Sequence, residues 1–249
     1  MRRQLVGEKQ LGPYLIYAAG EVFLIVIGIL IALGIDGWNQ RRQEAQREAF
    51  YLSGLQTEFR SSLAKLDTLI AVNRKTYDIS RELLTGIARA NDHRDEAELS
   101  RMLIEALSYE IAYSPNNSLL TEMMNSGRLQ TLSDGELRQH LTSWESFVES
   151  VNRQEANLRN IRERATDLLL GPEGSILTVM RDAGIASTYV SDELPDRDHS
   201  NLPLLKSLEF ENRILMFLAT AEGTESEHYL PLRREIQRIL ERIEAGLDD

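Results

Sequence analysis

Leu15 to Ile35 reads LIYAAGEVFLIVIGILIALGI, 21 residues with a single charge, Glu21. No other feature constrains the fold of this chain so strongly. A helix rises 1.5 Å per residue, so the run spans about 30 Å, the thickness of a bilayer's hydrocarbon core. Tyr14 and Tyr17 stand at one end and Trp38 at the other, where amphipathic rings prefer the membrane interface. The pattern predicts a transmembrane helix over 14–38, a short tail over 1–13 before it, and a separate body over 39–249. A cleaved signal peptide is the competing reading, with Val22–Ile31 as its apolar region and Ala32-Leu33-Gly34 as a small-x-small cleavage site. The apolar run extends towards Tyr14, further than a signal needs, and this favours a retained span.

Flanking charge sets the expected orientation. Arg2, Arg3 and Lys9 precede the span, and Arg41, Arg42 and Arg47 follow it. The positive-inside rule is close to a tie, tipped by the α-amino group towards an N-terminus inside. This places the body outside the cytoplasmic membrane. The tail is too short for an output domain, so any signal would need a partner protein.

Glu21 is costly in hydrocarbon unless it is protonated, paired or close to a headgroup. At 100° per residue, Tyr17, Glu21, Gly28, Ala32 and Asp36 fall on one stripe of the helix. Gly28-x-x-x-Ala32 is a small-xxx-small pair, which lets two helix backbones approach. The stripe makes Glu21, Gly28, Ala32 and Asp36 candidates for a helix–helix interface or an ion path. Tyr14, Tyr17 and Trp38 are the candidate interface anchors.

Tyr17-Ala-Ala-Gly-Glu21, Ile27-Gly-Ile-Leu-Ile-Ala-Leu33 and Trp38-Asn39 together resemble the N-terminal signature of an uncharacterised family of small bacterial single-pass membrane proteins. The resemblance covers residues 14–42 and extends more weakly over Asn117–Leu141. A polar residue often precedes x-Trp-Asn in that family; here it is Asp36, with Gly37 between. The resemblance implies an anchor, a helical body and a bacterial source, which with the span makes the expected location the bacterial inner membrane. It implies no activity, since the family's domain has no known function.

Beyond Trp38 the pattern is helical. Leu52, Leu55, Phe59, Leu63, Leu66, Ile70 and Tyr77 recur in steps of three and four, interrupted by Asn73. The repeat is not a clean heptad, so a bundle face is expected rather than a long coiled coil. A shorter helix follows over 95–112, then a turn at Ser114–Asn117 and a short helix over 118–124. Ser133-x-x-Glu136 reads as a capping box opening a long helix that Gly171-Pro172 stops. A short helix is expected near Ser175–Ala183. Pro231 should kink or restart the last helix, with Thr224-x-x-Glu227 as the new cap. The long helices are expected over about 40–88, 133–170 and 207–245. With one apolar face each, they predict an all-α protein: one N-terminal transmembrane helix continuing into an elongated antiparallel helical bundle, with short helices as a fourth wall.

Chemistry is sparse in this pattern. The net charge is −11, which disfavours general nucleic-acid binding. There is no cysteine, and so no disulfide, thiolate metal site or thiol catalyst. His93, His140, His199 and His228 lack zinc-ligand spacing, and no dinucleotide, P-loop or hydrolase motif occurs. Asp196, Asp198 and Ser200 could start a calcium loop. Asn201 replaces the glycine and Ser207 the bidentate glutamate that such a loop needs, so a solvated acidic loop over 192–200 is expected. Trp144, Phe147, Phe210 and Phe217 are spaced as core residues. Tyr109, Asn116, Asn117, Ser126 and Arg128 are candidates to line a cavity at one bundle end.

The expectation is therefore a membrane-anchored interaction or sensing module of unknown ligand. It carries no catalytic, metal or cofactor residues and is not an enzyme. Its expected partners are the lipid bilayer and a second copy or another membrane protein. The alternative is an oligomeric channel or ion-coupled assembly built on Glu21.

Overall fold

The computed structural model describes residues 11–88, 94–189 and 199–248. Among these residues every regular element is helical and no strand occurs, as helix-period apolar spacing requires. Two units separate, Met1–Tyr51 and Leu52–Asp249. Helix α1, Leu11–Ala88, contributes residues to both.

In the first unit α1 runs unbroken through Gly20, Gly28, Gly34 and Gly37, residues that cost propensity in water but are common in apolar spans. Phe23, Leu24 and Ile35 are 65, 71 and 64 % exposed.

In the second unit the apolar stripes become the core. Leu52, Leu55, Phe59, Leu66, Ile70 and Tyr77 of α1 are buried. Asn73, which breaks the apolar pattern, is equally buried. Helix α2, Glu96–Leu107, opens on Asp95, whose carboxylate accepts the Glu98 N–H at 2.8 Å. It stops at Leu107, five residues short of the expected Ala112. Residues 109–117 form a non-helical strap, and only Ile111 and Tyr113 of it are buried. Helix α3, Ser118–Asn125, has no side-chain cap of its own at Asn117. Glu58 of α1 does that work instead, accepting Leu119 N–H at 2.7 Å and Leu120 N–H at 3.3 Å. Gly127 then turns the chain at φ 71°, a conformation suited to glycine.

Helix α4, Gly135–Leu170, corrects one expectation. Its cap is Asp134 rather than Ser133: the Asp134 carboxylate accepts Glu136 N–H at 2.8 Å and Leu137 N–H at 3.1 Å. A carboxylate satisfies the same amides as a hydroxyl and also faces the positive end of the helix dipole. Two short helices follow, α5 (Ile176–Asp182, capped by Ser175) and α6 (Ala186–Tyr189).

The last rod corrects another. Helix α7, Leu208–Thr224, passes through a π-turn, Glu225–Tyr229, directly into α8, Leu230–Asp248. Thr224 does not restart a helix. It keeps helical φ −61° and ψ −42°, and its hydroxyl donates to the Thr220 carbonyl at 2.7 Å. Pro231 has no N–H to give the preceding turn, and a widened turn just ahead of it re-registers the ladder without breaking the rod.

Cross-pairs fix the directions. Arg60 meets Glu244 at 2.8 Å, Arg233 meets Asp67 at 2.7 Å and Arg81 meets Glu222 at 3.1 Å. Positions on α1 therefore rise as those on α7–α8 fall. Helix α4 opposes the same rod, with His140 beside Glu235 at 2.5 Å and Arg213 donating to the Arg164 carbonyl. So α1 and α4 run parallel, touching where Phe59 and Trp144 pack edge to face at 5.0 Å. The descending leg between them is α2, the strap and α3, the fourth wall. One core residue is misplaced by the sequence pattern: Trp144, Phe210 and Phe217 are buried, but Phe147 is 37 % exposed, on the outer edge of the α4 stripe.

The cap assignment yields a measurable consequence. Asp134→Ala should lower the stability of the full chain by about 1 kcal/mol, and Asp134→Asn, an equally good cap, should restore most of it. Urea unfolding in detergent micelles followed by far-UV circular dichroism checks this.

Candidate functional site

The residues singled out on the first unit are presented openly. Glu21, Gly28, Ala32 and Asp36 are all exposed on α1, and the unbroken helix keeps them within one face. A side chain added at Gly28 would meet nothing within 4 Å. Trp38 is exposed, and the Arg42 guanidinium lies 5.6 Å from its ring centroid. This cation–π pair at helical spacing brings a basic group to the expected membrane interface. The side chains of Tyr14 and Tyr17 lie outside the described residues.

A second constellation, which sequence reading missed, lies inside the bundle at the π-turn. Glu155 of α4 is 4 % exposed. Both its carboxylate oxygens accept the Tyr113 backbone N–H at 3.0 Å, and Oε1 also accepts the Tyr229 hydroxyl at 2.8 Å. One carboxylate thus ties the strap, α4 and the π-turn together. Glu225, at 5 % exposure, accepts from the Tyr77 hydroxyl at 3.0 Å and pairs with the Arg74 guanidinium. Asn73 donates from Nδ2 to the Ala221 carbonyl at 2.8 Å, and Gln154 donates to the Thr224 hydroxyl at 3.0 Å. The result is a polar belt across the bundle interior. On one side of it lie Leu83, Leu99, Leu169 and Phe210; on the other lie Phe59, Trp144, Ile236 and Ile239.

Burial sets the proton affinities in the belt. It pushes the Glu155 carboxyl above the usual carboxylate range, against the opposing pull of the Tyr113 amide, the Tyr229 hydroxyl and the Arg159 charge. Burial, then the Glu155 charge, pushes the Tyr229 phenol up, and burial likewise raises Tyr77. Such a site can hold a proton and couple it to three chain segments. Beside Glu155 is a cavity of about 10 Å³, with Tyr109, Arg159 and Arg162 among its lining. It is the size of one water molecule.

The remaining expectations sort as follows. Tyr109 lines that cavity, while Asn116 is engaged by Ser61, Ser62 and Lys65, and Arg128 pairs with Glu122 at 2.9 Å. His140 sits at the bundle boundary against Glu235, itself 3 % exposed. Residues 192–198 of the acidic loop, and His93, lie outside the described residues. Ser200 donates to Glu96 at 2.5 Å, and Asn201, fully buried, bonds Ser175 through its side-chain oxygen and nitrogen.

The belt should matter for stability unevenly. Glu225→Ala leaves the buried Tyr77 hydroxyl without its acceptor and should cost about 2 kcal/mol. Arg74→Ala should cost less than about 1 kcal/mol, because that guanidinium is half exposed and its pairing is screened by solvent. Paired urea titrations of the full chain measure both.

No curated protein and no solved structure matches this chain. A family of unknown function, DUF6090, matches residues 21–151. The match begins at Glu21 in the apolar helix and ends at Val151, one turn before Glu155. An apolar leading helix and an all-helical body are what the signature of Tyr17–Asn39 implied, and the chain belongs to the DUF6090 family.

Proposed function

We propose that this protein is a membrane-tethered helical interaction or sensing module that works by binding rather than by turnover. One observation supports the tether above all: large apolar side chains from Val22 to Ile35 stand exposed on a single helix. Water-soluble monomers rarely expose a contiguous apolar surface of that extent, and a bilayer would cover it at no cost in unsatisfied backbone groups. Trp38 and Arg42 at the end of the run suit a headgroup zone. In this reading the span crosses a bacterial inner membrane once, with the bundle on the extracytoplasmic side. The chain's net charge of −11 suits a solvated bundle rather than one lying on anionic lipid.

The partner in this reading is a second copy or another membrane protein, met through the face carrying Gly28 and Ala32. Chemical crosslinking in native membranes followed by mass measurement tests it. The expected result is a discrete species joining the chain to a second copy or to another membrane protein, retained in Glu21→Gln. Recovery of uncrosslinked monomer alone would overturn the reading. Ion conductance abolished by Glu21→Gln would replace it with a channel or ion-coupled assembly.

A further inference from the structure

The strap over residues 109–117 is lashed to the bundle from both sides. On its outer side Arg159 pairs with Glu110 at 3.1 Å, Arg162 donates to the Tyr109 carbonyl, and Lys75 lies 5.9 Å from the Tyr109 ring centroid. On its inner side the Tyr113 hydroxyl donates to the Ser62 carbonyl at 3.3 Å, and the Asn116 N–H donates to the Ser62 hydroxyl at 2.9 Å. These ties use exposed or neutral groups. The exception is the Glu155 carboxylate, buried under the strap and holding the Tyr113 amide. The strap has no helical ladder of its own, so its backbone takes hydrogen bonds from neighbouring side chains, as the Tyr113 and Asn116 amides do.

We propose that Glu155 is a proton-operated latch, in which the charge on this one carboxyl sets how firmly the 109–117 strap stays seated on the bundle. The water-sized cavity beside Glu155, with Tyr109 and two arginines in its lining, gives the proton a way in without unfolding. The π-turn places Tyr229 on the same carboxylate, so the latch also reads out to the last rod. The charged and titratable groups around it are Arg159 and Arg162 on its own helix, and Tyr109, Glu110 and Tyr113 on the strap. On the π-turn they are Glu225 and Tyr229, and on α1 they are Arg74 and Tyr77. Glu225 is neutralised by Arg74 and Glu110 by Arg159, which leaves Glu155 as the buried acid held by a backbone amide and a phenol.

The sign follows from burial. With the strap seated, the carboxyl holds its proton more tightly than a hydrated carboxyl does. With the strap released, water reaches Glu155 and the ordinary affinity returns. Acid therefore favours the seated strap. That advantage is complete below the ordinary carboxylate range and is lost as pH rises through the raised value. The latch does not depend on the membrane tether, and it would work in the detergent-solubilised chain.

Hydrogen exchange of the full chain in detergent tests this, read as protection factors for peptides spanning 109–117 between about pH 4 and 8, with the α4 peptides as internal reference. Protection of the strap should be lost progressively as pH rises above the ordinary carboxylate range while α4 stays constant. Glu155→Gln, neutral at every pH, should flatten the profile. Tyr229→Phe removes a donor that stabilises the charged form and should move the transition to higher pH, which keeps the test decisive if the glutamine variant folds poorly. A pH-independent strap in the natural chain, or an unshifted transition in Tyr229→Phe, would overturn the latch.

Discussion

Apolar surface has two fates on the same helix, and the rest of the structure follows from that division. Beyond Leu52, α1 turns Leu55, Phe59, Leu66 and Tyr77 into a bundle core, removing them from water at about 25 cal/mol per Å². Before it, the large apolar side chains from Val22 to Ile35 stand exposed among the described residues. A hydrophobic effect that drives four legs together in one unit leaves the other with a bare apolar rod. Covering that rod is a demand which lipid meets and water does not.

Inside the bundle, the cost of length is met with polarity. Rods as long as α4, at 36 residues, could slide in register if every layer were alike. Glu155 and Glu225 with their donors, and Asn73 donating to the Ala221 carbonyl, give one layer a unique partner set. Buried polar groups are satisfied in one alignment and orphaned in others, so they specify register even when they add little net stability. The π-turn is part of the same device. It lies directly ahead of Pro231, and it delivers Tyr229 to Glu155 and Glu225 to Tyr77.

Much of the bundle was legible in the sequence because apolar side chains repeat with the helix. Leu99, Met102, Leu103 and Ala106 of α2, and Phe210, Ile214, Phe217 and Ala221 of α7, are buried as their spacing implies. The belt was not legible because Glu, Asn and Arg are ordinarily read as solvent-facing. The signal was present all the same. Glu155 stands four residues after Val151 and three before Leu158; Glu225 stands four after Ala221; Asn73 lies between Ile70 and Tyr77 on the buried face. An acid in register with an apolar stripe marks a buried polar site. Other misses were local. Ser133 and Asp134 are adjacent residues of equal capping competence, and tertiary geometry chose the charged one. Pro231 signalled disruption correctly, and a π-turn absorbed it where a kink or a capped restart was expected. The strap, too, begins at the end of a stripe that Ile111 continues in sequence; Ile111 is buried, but from non-helical backbone.

The most direct test of the tether reads the surroundings of the apolar rod residue by residue. Nitroxide labels placed singly from Ala19 to Gln40, in a chain that has no native cysteine, report collision with oxygen or with a water-soluble nickel complex in vesicles. A spanning helix gives high oxygen and low nickel access continuously from Val22 to Ile35, and nickel access returning after Trp38. Nickel access throughout that run would contradict the membrane tether.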